Sequence, residues 1–503
     1  MTLPDNWNEL TPDERLQARL DAWQNIPIEF ATPEAAQAYR DRVQLYRDAF
    51  DLKKPSIVPI APWIGLLPFH FYGHTGKQAY YDYEIFKDDW FRFHEDTMPD
   101  GLGLTLGIVP GKLFDILDYH LYDWPGHGTP DDASYQYREQ EWMKGDEYAA
   151  LIQDPGSYWQ RTYLPRVFGA MEPFSMLAPW TDLVEIPFTA PFFAGFSAPP
   201  VKQMLQKLAE AGDAAMEWLQ AAMAADGRVM ATLGIPQTAG GATKAPYDIL
   251  GDTMRGTRGL MLDKFRQPEN VKAAMERLVP QAIDWAVRSN NMTGNPIVFI
   301  PIHKGADGFM SDADFKELYW PTFKAVLLGL IEEGLVPWVF VEGSYNERLE
   351  VIADEEIPAH RMIWMFDATD MERAKAVVGG RQCIGGNVPA ALFAMGTPGE
   401  MDAYVKDLLG KTAQDGGFIL SSGIVLDEGD PAAYRAFIEA GRKYGALPGA
   451  AARSSPAEPL SSARRVGRLR RGTLMGPPPA PASPHAAAAV HQDRLAGHEV
   501  AVR

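Results

Sequence analysis

Across its 503 residues the chain is 46% hydrophobic with a formal net charge of −19, which allows one large core or two ordinary ones and argues against nucleic acid as a partner. No apolar run approaches the ~20 residues that cross a bilayer, and MTLPDNWNEL lacks the basic and apolar regions of a secretion signal, so a soluble, cytoplasmic protein with no membrane partner is expected. A single cysteine, Cys383, excludes an intrachain disulfide and any zinc site needing two thiolates from one chain.

Two helices are predicted to open the chain as an extension over residues 1–50. Thr11, Pro12 and Glu14 form a capping box with proline at the first helical position, and Thr32, Pro33 and Glu34 repeat the start signal. Residues 56–61 (SIVPIA) read as the first strand of the main domain, 51–446. Five of the ten histidines then fall between His70 and His127, among Tyr80, Tyr81, Tyr83, Tyr119 and Tyr122. Their spacings match no local metal-ligand pattern, so this region is either amphipathic packing or an aromatic wall over a pocket. Within it, residues 101–109 (GLGLTLGIV) read as a strand.

A helical stretch over 146–177, an apolar loop over 186–200, an amphipathic helix over 201–225 and a strand over 229–234 follow. The glycine-rich IPQTAGGATKAPYD has neither Walker nor Rossmann spacing and is not a phosphate site. Asp248, Asp252 and Arg255 are spaced by four and three, which on a helix gives one face. They are either an exposed ion pair or an arginine poised for a carboxylate.

Residues 295–345 carry the clearest pattern. A β-branched strand, 297–302, leads into His303, Lys304 and Asp307; a helix capped by Ser311 is expected to kink at Pro321 and stop at Gly334; a second strand, 338–341, ends in Glu342 and Tyr345. Further strands over 361–366, 381–386 and 417–422 end in Asp367, in Asn387, and in Ser421 and Ser422. A capping box at Thr397 and Glu400 starts the helix between the last two. Polar residues recurring at successive strand ends point to chemistry at one end of a parallel α/β structure, where Glu342, Asp367, Asn387 and Ser421 should lie together.

Beyond residue 450 the composition changes. Eight arginines stand against three acidic residues there, leaving −24 on residues 1–450. This Pro/Ala/Arg-rich tail, 447–503, is expected to be disordered, and it reads like GC-rich DNA translated out of frame or a basic linker for an acidic partner.

The stretches GGNVPAALFAMGTPGEMDAY (385–404), GGFILSSG (416–423), FMSDADFKELYWPTFK (309–324) and APYDILGDTMRG (245–256) resemble the uroporphyrinogen decarboxylase superfamily over roughly residues 50–446. The resemblance implies an α/β fold, a (β/α)8 TIM barrel. It also implies a small-molecule substrate and either a decarboxylase or a methyltransferase working with a corrinoid on a partner protein. Two family features are absent: the arginine-rich R-Q-A-G-R motif that holds substrate carboxylates, and the zinc ligands, whose positions correspond to Phe340, Glu342 and Ile424. No zinc is therefore expected. Corrinoid-linked demethylation is the first expectation, decarboxylation the second, and a non-catalytic tetrapyrrole- or aromatic-binding barrel the third. Glu342 is the candidate general acid, partly desolvated at the end of PWVFV so that its protonated form is favoured, with His303 and Asp367 as catalytic neighbours. Alternatively Glu342 pairs with Arg348 or Arg361. The expected substrate-binding residues are Asp252, Arg255, Asp307, Tyr345, Asn387, Ser421 and Ser422.

Overall fold

A computed structural model describes residues 3–103 and 105–446, and the expectations for the tail lie outside the described residues. Its centre is a parallel sheet in the order β4 (Gly241–Ala242), β5 (Ile297–Ile302), β6 (Val336–Val341), β7 (Ile363–Phe366), β8 (Cys383–Val388) and β9 (Phe418–Ser422). Strands β6 to β9 are buried along their whole length, as expected of strands covered on both sides.

Two further extended segments close the ring. Ile60 bridges Leu420 of β9 in parallel, with Ala61 N donating to Leu420 O and Leu420 N to Pro59 O. Asp100 N donates to Ile60 O, Leu102 bridges Gln237, and Gly240 N donates to Ile297 O at the start of β5. With the segment 237–242 that contains β4, eight extended segments form a (β/α)8 barrel.

The first three staves depart from the expected pattern. Residues 56–61 make single bridges instead of a ladder, and the expected strand over 101–109 contributes only its first residues before a 3-10 turn at Thr105–Gly107. Crowding explains the glycines there: a Cβ at Gly101 would stand 2.2 Å from the Tyr46 hydroxyl. Residues 229–234 are not a strand but the end of a 35-residue helix, Pro199–Leu233, closed by Gly234 at φ +63. A short apolar run such as VMATLG fits either period, and the third stave lies in the glycine-rich stretch after it. The expected apolar loop over 186–200 holds a helix, Ile186–Ala194.

Start signals are found where the sequence placed them. Thr11 and Thr397 form capping boxes, Thr32 accepts from Ala35 N, and Ser311 accepts from Asp314 N. At Pro321 the helix changes register: Phe315–Tyr319 is a π-turn and Trp320–Glu332 resumes α-helix, so the missing proline N–H costs no regular bond.

The two opening helices, Pro12–Gln24 and Pro33–Phe50, seal the N-terminal end of the barrel. Arg42 donates to the carbonyls of Leu233 and Gly234, Arg15 to Glu332 and Arg19 to Glu333, so three buried guanidiniums satisfy orphan carbonyls at two helix ends. Asp100, fully buried, accepts from Ile60 N and from both terminal nitrogens of Arg442, with Arg42 Nε at 3.5 Å. That carboxylate ties the first two staves to the last helix, Pro431–Gly445. Inside the barrel, Trp63, Phe299, Trp338 and Phe340 pack ring on ring at centroid distances from 4.4 to 5.6 Å. Among the described residues no helix is long and apolar enough to cross a membrane.

Candidate active site

Register alone sets three of the candidate residues side by side. Ile302 pairs with Val341 and Val341 with Phe366, so His303, Glu342 and Asp367 leave β5, β6 and β7 in one row at the C-terminal end of the barrel. Asn387 and Ser421 pair with each other on β8 and β9, one step from the same end. Glu342, Asp367, Asn387 and Ser421 thus share an end, as parallel strands require.

The row is anchored from behind by two aspartates on the segment after the third stave. Asp248 is buried; its Oδ1 accepts the backbone N–H of both His303 (3.1 Å) and Lys304 (2.7 Å), and its Oδ2 accepts the Tyr319 hydroxyl. Burial and the charge of Asp252 raise the pKa of Asp248. Asp252 Oδ2 accepts from His303 Nδ1 at 2.6 Å and from Lys244 Nζ at 2.6 Å, and Lys304 Nζ lies 3.3 Å from Oδ1. Although burial opposes its charge, those three cations hold its carboxyl well below the usual carboxylate range.

His303 therefore sits between two carboxylates: Asp252 on Nδ1, and Glu342, whose Oε2 is 3.5 Å from Nε2. Burial disfavours the imidazolium, but the hydrogen bonds and charges of Asp252 and Glu342 outweigh it and lift the pKa to about 10. The ring is a charged donor at neutral pH. Glu342 itself is 44% exposed, not desolvated. A strand as greasy as PWVFV points to burial, but Glu342 stands one residue beyond the last rung, where the mouth opens. Neither suggested arginine partner reaches it. Arg348 turns to Gly305 O, Met310 O and Asp312, and Arg361 to Asp13. Asp367 accepts from Gly343 N at 3.0 Å, and its pKa is raised by burial and by the charge of Glu342.

Above the mouth lies a small sheet of β1 (Tyr122–Pro125), β2 (Gly128–Thr129) and β3 (Gln136–Tyr137). Tyr122 packs against Tyr135 and Tyr137 at 5.4 and 5.7 Å. Tyr122 and Tyr137 feel the charge of Asp252, and Tyr135 those of Asp427, Glu342 and Lys244, so this ribbon is an aromatic roof over the row. The histidines of the region do not converge: His74 pairs with Asp89, His120 with Asp118 and His127 with Asp115. On the opposite side of the mouth, His70, Ser134, Ala391, Ile424 and Asp427 line part of a cavity of about 490 Å³.

Other candidates serve the framework. Arg255 is buried and turned inward to Asp263, Glu141 and Met143 O, because a π-turn over Ile249–Met254 shifts it off the face of Asp252. Asp307 accepts from Ser344 Oγ and Glu347 N, fixing the loop after β6. Tyr345 is fully buried beside Phe315. Asn387 Nδ2 donates to the carbonyls of Asp367 and Thr369, Ser422 Oγ accepts from Trp63 N, and Ser421 is fully buried. Sequence reasoning missed Lys244 and Tyr319. Lys244 ends the third stave, and strand-end logic would have found it had 237–242 been read as strand.

Zinc does not fit these residues. Phe340 is a buried member of the aromatic cluster and Ile424 offers no donor, which leaves Glu342 alone of the three family positions. Asp248, Asp252 and His303 bring ligand atoms within 4.8 Å of one another, but both carboxylates already accept N–H and O–H donors, and two ammonium groups adjoin Asp252. A divalent cation there would have to displace them. Cys383 is fully buried, with its thiol pKa raised by burial, and is inert.

Comparison with known proteins bears on the fold and the family. A methyltransferase from Methanosarcina mazei superposes with a TM-score of 0.52 at 13% identity, covering 80% of this chain and 98% of its own, which supports the barrel fold. A B12-independent methionine synthase from Shewanella sp. W3-18-1 matches with a TM-score of only 0.30 at 13% identity, over 41% of this chain and 60% of its own, too weak to carry an argument. No curated protein matches in sequence. The family model for uroporphyrinogen decarboxylase (URO-D) matches residues 193–444, half of the chain, including β4 to β9, both anchoring aspartates and the row His303, Glu342 and Asp367. The chain belongs to the uroporphyrinogen decarboxylase family.

Proposed function

We propose that the protein is a methyltransferase that demethylates a small aromatic methyl ether, with His303 protonating the departing oxygen and the methyl group passing to a corrinoid carried by a separate protein. The observation that carries this reading is His303 between Asp252 and Glu342. Asp252 accepts the Nδ1 proton and fixes the ring, so Nε2–H is the proton presented toward the mouth. Breaking the methyl–oxygen bond leaves a phenoxide, whose conjugate acid has a pKa of about 10 if it resembles tyrosine. A donor whose own pKa is about 10 is matched to that leaving group. The corrinoid, when present, supplies the nucleophile that takes the methyl group.

Two further features support the reading. The roof of Tyr122, Tyr135 and Tyr137 offers π-faces to an aromatic ring, and Tyr135 and Glu342, 43% and 44% exposed, leave the mouth open to a large partner.

Decarboxylation is the second reading, favoured by family membership and served by the same donor, since a carbanion also needs a proton. Incubating the purified protein with methoxyphenols and a reduced corrinoid protein separates the readings. Methyl transfer predicts a methylated-corrinoid spectrum only when substrate is present, with one phenol released per methyl moved. Carbon dioxide from a carboxylic acid without corrinoid would establish the second reading, and binding without turnover would exclude both.

A further inference from the structure

The cavity of about 490 Å³ beside the mouth adjoins the reactive row and has a chemistry of its own. One wall is the loop after β9, with Ile424, Asp427 and Glu428, and another is the segment before β3, with Asp132 and Ser134. The third is the helix Ala390–Met395, where Ala391 and Ala394 leave room that larger side chains would fill. The loop after β9 starts against the row itself: a Cβ on Gly423 would stand 2.6 Å from Asp367 Oδ1. Tyr135 lies near both regions, since it feels the charges of Asp427 and of Glu342.

Three carboxylates line this cavity and no cation answers them. No lysine or arginine is in its walls, and among the described residues none of Asp132, Asp427 and Glu428 is in an ion pair. Asp252, by contrast, is met by His303, Lys244 and Lys304. Asp427 is fixed by one oxygen only: Oδ1 accepts Leu66 N at 3.0 Å and fits against Gly65, where a Cβ would stand 2.1 Å from it. Its second oxygen has no hydrogen-bond partner among the described residues. In the same walls His70 Nε2 is shielded from solvent and makes no hydrogen bond there, a polar atom left unmet. A concave site lined by one sign of charge focuses its field and concentrates the opposite charge. A metal ion is not what these groups suit, because they do not converge: among the described residues the three-ligand group within 4.8 Å is Asp248, Asp252 and His303.

We infer that this cavity selects substrates carrying a positively charged amine, with the ammonium seated among Asp427, Glu428 and Asp132 and its alkyl link lying along Ile424 and the two alanines. An ammonium brings several N–H donors on one atom, so it can serve carboxylates from two walls at once, and each such bond is charge-assisted. An anionic tail would be repelled by the same three groups, and a neutral tail would leave them uncompensated. The apolar part of the lining suits the methylenes between ring and amine, as in most small-molecule sites, where a few polar groups fix the orientation. Binding of the amine stands on the cavity alone. The direction of the bound molecule, with its methoxy group toward His303, rests on the demethylation proposed above.

Titration calorimetry of the full chain at neutral pH, without corrinoid, tests this with three probes of similar shape: para-methoxyphenethylamine, para-propylanisole and para-methoxyphenylpropanoate. The amine should bind at least about tenfold more tightly than the neutral probe, the gain expected of a hydrogen bond to a charged group, and the carboxylate should bind most weakly. Asp427→Asn, which keeps an acceptor for Leu66 N, should remove most of that preference with an unchanged circular dichroism spectrum. Asp132→Asn with Glu428→Gln, on two exposed residues, should reduce it as well and serves if Asp427→Asn does not fold. Ala391→Phe should weaken the amine and the neutral probe alike by filling the cavity. Equal binding of all three probes, tightest binding of the carboxylate, no binding of any, or an unchanged preference in the folded variants would each overturn the proposal. An amine that binds with this preference but is never demethylated beside the reduced corrinoid protein would refute the reaction proposed above and leave the pocket assigned.

Discussion

His303 Nδ1 lies 2.6 Å from Asp252 Oδ2, and this contact determines which nitrogen of the ring can serve the mouth of the barrel. Asp252 is itself held by Lys244 and Lys304, and the backbone that carries His303 is pinned by Asp248. The proton donor is therefore fixed from behind by charge and from beneath by hydrogen bonds, an arrangement that lowers the reorganisation needed at the moment of proton transfer.

The pH dependence follows from that contact. His303 has an ordinary pKa of about 6.5 when unfolded but about 10 in the fold, so the native state binds its proton more tightly. Its contribution to stability is fully present below pH ~6.5 and is lost as pH rises from there through about 10. Asp252 has the opposite sign: its depressed pKa contributes above an ordinary carboxylate pKa of ~3.9 and is lost as pH falls below it. Denaturant midpoints measured across pH should fall on the alkaline side for the wild type and lose that slope in His303→Gln. Turnover should fall through the same alkaline window.

Glu342→Gln separates two roles for the exposed carboxylate. As a neighbour that helps hold the proton on His303, its loss should leave turnover within about tenfold of wild type and move the alkaline limb to lower pH, because one of the two charges raising the His303 pKa is gone. As the acid itself, its loss should cost about 10²–10⁴-fold in rate. Rate against pH for both proteins distinguishes the outcomes, and the first is expected here.

Metal analysis gives a third prediction. With Phe340 packed against Trp63 and Phe299, and the Asp248 and Asp252 oxygens engaged by donors, purified protein should contain no stoichiometric zinc, and chelators should not change turnover. Elemental analysis beside a chelator titration checks both parts.

Far from the mouth, Asp100→Asn should be costly. Buried Arg42 and partly exposed Arg442 converge on a buried carboxylate that also accepts the N–H of Ile60. Breaking one partner of a buried ion pair typically costs about 3–5 kcal/mol, to be read as a lower denaturant midpoint with an unchanged slope. The alkaline limb of turnover should stay where it is, since Asp100 touches the first two staves and not the His303 row.

Strand-end logic located the row because it needs only the end of an apolar run. Where the run was weak, it failed. The third stave contains Gly240 and Gly241, whose added Cβ atoms would meet Asn295 O at 2.4 Å and Ser289 Oγ at 2.1 Å, so close packing demands residues that read as loop, and Lys244 was lost with the strand. Arg255 was misplaced for a different reason: spacings of four and three give one face only on an α-helix, and the π-turn at Ile249–Met254 breaks that period. The exposure of Glu342 was not readable at all, since it depends on where the aromatic roof stops.

The most direct test of the central claim is a single-turnover measurement on His303→Gln, following formation of the methylated-corrinoid spectrum from an active methoxyphenol at neutral and alkaline pH. If His303 is the proton donor, the variant should transfer the methyl group about 10²–10⁴-fold more slowly than wild type, with no alkaline limb and an unchanged fold. A folded variant that transfers at the wild-type rate with the wild-type pH profile would contradict the account.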